Sequence, residues 1–162
     1  ERNIPFTEEE LLLSSKLNIG QRHAYDVIMS EVLSSGSRSF LVDGPGGTRK
    51  TFLYRSLVAT LRSRGHIAIA IASSGVAASI LPGGRTAHSR FKIPLDVSAN
   101  KICQISKQNS VARLITLAKL ILWDEASMAK KDIVEAFDLL LKEVMDFDKP
   151  FGGKVVVFGG DF

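Results

Sequence analysis

The sequence predicts an α/β domain in which a mostly parallel sheet is wrapped by helices on both faces. Short apolar runs alternate along the chain with longer segments of helical spacing, the pattern of consecutive β-α units. One run, Ile67-Ala68-Ile69-Ala70-Ile71-Ala72, is apolar throughout, as strands buried on both faces of a parallel sheet are. Three runs lead straight into glycine or acidic residues, at the strand ends where open parallel sheets bind ligands.

Residues 1–16 mix Glu8, Glu9 and Glu10 with Leu11, Leu12 and Leu13 and read as a lead-in to one domain over 17–162. From Asn18, the residues Ala24, Val27, Ile28, Val32 and Leu33 share one helical face, and Ser34-Ser35-Gly36 ends the helix. Phe40-Leu41-Val42 is a short strand before a glycine-rich loop. Residues 51–64 resume helical spacing through Leu53, Leu57 and Leu61, with Gly65 closing that helix. After the strand at 67–72, a second β-α unit starts at Ser73. Pro82, Gly83 and Gly84 mark a loop leading to Phe91 and Pro94, and polar residues 96–109 predict an irregular excursion. A helix at 111–117 precedes the strand Leu120-Ile121-Leu122-Trp123, in which Trp123 reads as core packing and which ends at Asp124-Glu125. An amphipathic helix at 131–145 and a last strand at 155–158, ending at Gly159-Gly160-Asp161, complete the pattern.

Composition narrows the function classes. At 162 residues, 45% hydrophobic and 23% charged, the chain has an ordinary globular make-up. It is long enough to bury roughly two-thirds of its unfolded surface, so disulfide scaffolds and fibrous folds are excluded. The single cysteine, Cys103, has no internal partner and reads as an inert buried thiol in a reducing compartment. No apolar run can span a bilayer and the N-terminus is acidic, so neither a membrane segment nor a secretory leader is expected. The 21 basic and 17 acidic residues give +4, which suits a nucleic-acid partner without requiring one.

The strongest motif is Gly44-Pro45-Gly46-Gly47-Thr48-Arg49-Lys50-Thr51, between a strand and a helix, where a phosphate-binding loop belongs. Small residues let backbone N–H groups converge on phosphates, the helix N-terminus adds its dipole, and Lys50 adds a charge. Thr51 offers a hydroxyl to a magnesium ion. A glycine-rich turn without a ligand is the alternative. The pattern asks for glycine where this chain has Arg49. If that position is left-handed, a side chain costs about 1–2 kcal/mol, and the arginine's bulk crowds the loop, so weakened ATP turnover is expected. Arginine also pairs well with phosphate, which leaves nucleotide binding open.

Asp124 and Glu125 follow an apolar strand. Asp124 is placed to hold the magnesium, and Glu125 to orient and deprotonate an attacking water. On its own such a pair is more often a helix cap. Gly159-Gly160-Asp161 is a weaker signal, as compatible with a plain turn.

Gly44 to Thr51, Ser73-Ser74-Gly75-Val76-Ala77-Ala78, Gly84-Arg85-Thr86-Ala87-His88-Ser89, Trp123-Asp124-Glu125-Ala126 and Gly159-Gly160-Asp161-Phe162 together resemble one family. It is the Pif-type (petite integration frequency) DNA helicase family, in the RecD-like branch of superfamily-one helicases. The resemblance runs from about Leu17 to the last residue. It implies a RecA-like P-loop NTPase domain that binds ATP and magnesium and moves 5′ to 3′ along single-stranded DNA. It further implies roles in DNA repair, recombination and telomere maintenance, and a nuclear or mitochondrial location. By matching position, Gln21 resembles the family's adenine-reading glutamine, since an amide can both donate to and accept from a base edge. Gly44, Gly46, Gly47, Thr48, Arg49, Lys50 and Thr51 would bind the nucleotide. Ser73, Ser74, Gly75, Thr86, His88 and Ser89 would line the single-strand path, with Arg85, Arg90 and Lys92 adding charge. Read without the family, the glycine-rich segment is a surface loop, His88 an ordinary loop histidine and Gln21 a solvated helix residue.

The sequence stops before the position of the family's third-motif glutamine, and nothing in it corresponds to the second motor domain. This chain alone is therefore expected not to unwind DNA, because unwinding needs two domains closing around ATP. The leading expectation is the ATP-binding half of a helicase. A degenerate, non-hydrolysing nucleotide- or nucleic-acid-binding module is the alternative, and a small kinase a third that the Thr86-His88-Ser89 segment disfavours.

Overall fold

The computed structural model describes residues 12–44, 48–91 and 110–162. The segments outside these ranges include Gly46, Gly47, Lys92, Pro94, Cys103, the expected excursion at 96–109 and most of the lead-in. What is described is a five-stranded sheet, all parallel, in the order β1-β5-β4-β2-β3. Its strands are β1 (Ser39–Asp43), β2 (Ile67–Ala72), β3 (Arg85–Thr86), β4 (Ala118–Asp124) and β5 (Val156–Gly160). The helices are α1 (Ile19–Leu33), α2 (Thr48–Ser63), α3 (Gly75–Ile80), α4 (Ala87–Phe91), α5 (Ser110–Leu117) and α6 (Lys131–Met145). None is long and apolar enough to cross a membrane.

Strand alternation divides the core into two layers. Ile67, Ile69 and Ile71 of β2, Ile121 and Trp123 of β4, and Val156 and Phe158 of β5 face α4, α5 and α6. Ala68 and Ala70, Leu120 and Leu122, and Val157 face α1 and α2. The isoleucines and alanines of β2 therefore serve different layers: large side chains fill the α6 side, and small ones admit Leu57 and Leu61 of α2 close to the sheet. On the α6 side Phe137 meets Trp123 edge-on at 5.1 Å between ring centroids and Phe91 at 5.3 Å, geometries aromatic rings favour.

The start of α1 and the end of α2 have identifiable signals. Asn18 caps α1: its side chain accepts from the Gln21 backbone at 2.8 Å while its own N–H donates to the Gln21 side chain at 3.0 Å, a reciprocal capping box. Gly65, at φ +76°, turns the chain out of α2. The Arg62 guanidinium, 4% exposed, donates to Pro82 O and, at 3.2 Å, to Ala68 O, fixing the loop after α3 against α2 and β2. The buried Lys154 ammonium lies 2.8 Å from both Thr116 O and Ala118 O, where α5 passes into β4.

The observed elements depart from the sequence expectations in these places. The second helix begins at Thr48, three residues earlier than its apolar spacing indicates, because the end of the glycine loop is already helical. Arg49 is thus the second residue of α2, and the left-handed backbone that would have strained it is not required. The loop after Gly84 holds β3 and the short α4. Gly159 and Gly160 are strand residues rather than a turn. They are glycine because a Cβ on Gly159 would lie 1.7 Å from the Tyr54 hydroxyl, and one on Gly160 2.6 Å from Ser127 Oγ.

Candidate functional site

Parallel strands bring their carboxyl ends to one edge of the sheet. The register sets Asp43 beside Gly160, Asp124 beside Ala72, and Thr86 on the other side of Ala72. A cavity of about 840 Å³ opens at this edge. Its polar wall holds Lys50 and Thr51 from α2, Asp124 and Glu125 from the end of β4, and Gly160 and Asp161 from the end of β5. Val76 and Ile80 of α3, Phe52 of α2 and Met128 supply an apolar wall.

Lys50 turns its ammonium back onto the strand ends, donating to Gly44 O and, at 2.9 Å, to Gly160 O. Gly44 N–H also donates to Gly160 O at 3.1 Å, so the start of the phosphate loop is tied to β5. Asp124 accepts from the Glu125 backbone N–H at 2.8 Å. Partial burial raises the Asp124 pKa above the usual carboxylate range. The Glu125 N–H bond opposes that rise, the Glu125 charge adds to it, and Lys50 opposes it. A carboxylate so placed favours a cation at its side.

Glu125 sits in left-handed backbone, φ 55° and ψ 34°, which is strained for a residue with a Cβ. Two serines at the end of β2 hold it there. Ser73 Oγ donates to Glu125 O at 2.8 Å, and Ser74 Oγ donates to Glu125 Oε2 at 2.8 Å. Trp123 Nε1 in turn donates to Ser73 Oγ at 3.0 Å, and Ser73 N–H donates to Asp124 O at 3.2 Å. Trp123 therefore does more than fill the core, because its indole N–H orients the hydroxyl that fixes Glu125. Ser74 Oγ also caps α3 by accepting from Ala77 N–H at 3.2 Å.

The remaining candidates are placed as follows. Gly75 opens α3, next to the cavity wall. Thr86 Oγ1 accepts from Ser89 N–H at 3.1 Å, and Ser89 Oγ accepts from Arg85 at 2.9 Å, so this segment is built around its own polar groups beside β2. His88 lies in the same α4 turn. Gln21 is engaged in the α1 capping box and does not line the cavity. Gly44 bounds the loop. Gly46 and Gly47 lie outside the described residues, and Thr48 and Arg49 contribute the first turn of α2.

The residues that sequence reasoning passed over are Ser127 and Tyr54. Ser127 Oγ accepts from Asp161 N–H at 3.3 Å and steadies the end of β5. The Tyr54 hydroxyl is buried against Gly159 and has no hydrogen-bond partner among the described residues. Burial first, then the Asp124 charge, raises its pKa. Its place in α2 reads in sequence as one more apolar-face position, and no signal marks it.

A parallel sheet with a phosphate-loop helix and two strand-end carboxylates around one cavity is the architecture of a RecA-like, nucleotide-binding P-loop domain. The family description "PIF1-like helicase" matches residues 16–162 of the sequence, and the chain belongs to that family. A relative named ATP-dependent DNA helicase PIF1 from Xenopus laevis is 30% identical over 137 residues, covering 84% of this chain and 21% of the relative. Bacteroides Pif1 bound to ssDNA superposes with a TM-score of 0.71 at 29% identity, covering 90% of this chain and 32% of that one. A Bacteroides sp Pif1 in complex with ADP-AlF4 gives a TM-score of 0.63 at 31% identity, covering 84% and 31%. The chain thus spans about a fifth of the length of the curated relatives it matches.

Proposed function

We propose that this chain is the first, nucleotide-binding motor domain of an ATP-dependent 5′ to 3′ DNA helicase. Its substrate would be single-stranded DNA, and its setting nuclear genome maintenance, spanning repair, recombination and telomere maintenance. The observation that carries the reading is the shared cavity: α2 brings Lys50 and Thr51, and β4 brings Asp124 and Glu125, to one sheet edge beside α3.

The chemistry follows from that placement. The Lys50 ammonium, held by two carbonyls, exchanges them for phosphate oxygens of ATP, which carry full negative charge and bind it more strongly. Thr51 and Asp124 present a hydroxyl and a carboxylate, hard oxygen donors suited to magnesium, which when bound would neutralise charge on the β- and γ-phosphates. The Glu125 carboxylate orients a water and takes its proton as the water oxygen bonds to the γ-phosphorus and the bond to the ADP oxygen breaks. Thr86, His88 and Ser89, beside β2, would meet the backbone of the strand.

Arg49, standing where the motif has glycine, keeps a second reading open, a non-hydrolysing module that binds nucleotide weakly, or only nucleic acid, and acts through partners. Magnesium-ATP binding by calorimetry, on this chain and on Arg49→Gly, separates the two. Saturable binding by both supports the motor domain. Binding by the variant alone identifies a disabled one, and binding by neither overturns the nucleotide site. A strand-separation assay on this chain is expected to show no unwinding.

A further inference from the structure

The hydroxyl of Ser74 faces two demands. It stands in the segment read above as part of the single-strand path, yet its proton points at Glu125 Oε2 from 2.8 Å. A hydroxyl has one proton to donate. Its lone pairs already accept from Ala77 N–H, which leaves that proton as what it can offer a phosphate. A strand phosphate that takes it must take it from Glu125.

We infer that Ser74 is a positioning residue that latches Glu125 while the strand path is empty and releases it when a strand phosphate claims the hydroxyl. The inference rests on the motor-domain reading above and deepens it: occupancy of the DNA path and the pose of the general base become alternatives decided by one hydrogen bond. The geometry favours a latch over a simple cap for two reasons. Glu125 is held at both ends, its carbonyl by Ser73 and its carboxylate by Ser74, in a backbone conformation it would not adopt unaided. Loss of the Ser74 bond frees the carboxylate alone, because the Trp123-Ser73-Glu125 O chain keeps the backbone in place. The side chain then swings within the cavity that also holds Lys50, Thr51 and Asp124.

The test is a double-mutant cycle read as affinity for a fluorescein-labelled oligothymidylate, using this chain, Ser74→Ala, Glu125→Ala and the double variant. Removing Glu125 lifts a negative charge near the strand in both backgrounds, and that effect cancels in the cycle. What remains is competition for the hydroxyl. Glu125→Ala is expected to tighten binding roughly three- to tenfold more in the Ser74 background than in Ser74→Ala, the range for the net worth of an ordinary hydrogen bond. Ser74→Thr, which restores the hydroxyl, should restore the coupling, whereas a hydroxyl that only caps α3 gives no coupling to Glu125 in any background. Emission of Trp123, the single tryptophan of the chain, confirms that each variant keeps the β4 end packed. Saturable binding without coupling overturns the latch and leaves the strand path standing. Failure of every variant to bind the oligonucleotide overturns the strand path and the latch with it.

Discussion

Lys154 allows the packing to be tested through pH. Its side chain is buried without a carboxylate partner among the contacts that hold it, and its nitrogen is 2.8 Å from two backbone carbonyls. Burial, with a smaller contribution from the nearby Lys119 charge, brings its pKa from 10.5 down to about 8. A neutral amine has two N–H donors, enough for both carbonyls, so nothing is lost from that pairing when the proton leaves. In the unfolded chain the same amine keeps its proton to about pH 10.4. Between about pH 8 and 10.5 the unfolded state therefore binds more protons than the folded one, and stability must rise with pH through that window. At about 1.4 kcal/mol per pH unit the whole interval corresponds to roughly 3 kcal/mol. The perturbation is Lys154→Met, which keeps an unbranched stem and removes the titrating group. Urea unfolding followed by Trp123 emission, at intervals from pH 7 to 10, gives the stability of both chains. Titrations that do not interact with Lys154 are shared and cancel in the difference, which should move in favour of the native chain by roughly 2 kcal/mol or more as pH rises. A difference that stays flat, or moves the other way, would refute the assignment of a depressed lysine at this site.

Three further outcomes are expected. Gly159→Ala puts a methyl group on a buried phenol that α2 holds in place, and should destabilise by about 1–3 kcal/mol in urea unfolding; an unchanged midpoint would mean that Tyr54 is free to move. Asn18→Ala removes the reciprocal cap of α1 and should cost about 1 kcal/mol, seen as a lower thermal midpoint. Asp124→Asn removes a carboxylate whose pKa burial has raised, so its thermal midpoint should rise at pH 7 while magnesium-dependent nucleotide binding is lost. A raised folded-state pKa means that ionised Asp124 opposes folding once pH exceeds the unfolded value, so the stabilising effect of the variant should fade as pH falls below that range.

How much could be read in advance depended on whether a residue's role is local. The Ile-Ala alternation of β2 and the amphipathic run of α6 are written in consecutive positions, and both elements appear with the bounds their periodicity gives. The strand β3 has two residues, and only its pairing with Ile71 and Ala72 defines it, so no local pattern announces it. Gly159 and Gly160 look like a turn from sequence, because what makes them glycine is Tyr54 and Ser127 approaching from distant elements. The site divides along the same line. Lys50, Thr51, Asp124 and Glu125 were legible from motif spacing, and the fold brings them to one cavity. The serine clamp was not: Ser73 and Ser74 stand some fifty residues from Glu125 in the chain and meet it only because β2 and β4 are neighbours. Gln21, which by position resembles the family's adenine-reading glutamine, has its side-chain oxygen in the cap of α1.

The order of the strands has a consequence for how the domain behaves in a crowded solution. Among the described residues β1 pairs on one side only, with β5, and Leu41 at its centre is 69% exposed. No described strand pairs with its other side, an uncovered strand edge is a template on which a foreign strand can grow, and its five residues contain neither proline nor lysine to deter one. Among the described residues, the strand that leads into the phosphate loop is thus also the longer of the two edges of this sheet. Anything that covers that margin, whether a neighbouring segment or another molecule, protects the domain from self-association and steadies the approach to its nucleotide loop in the same act.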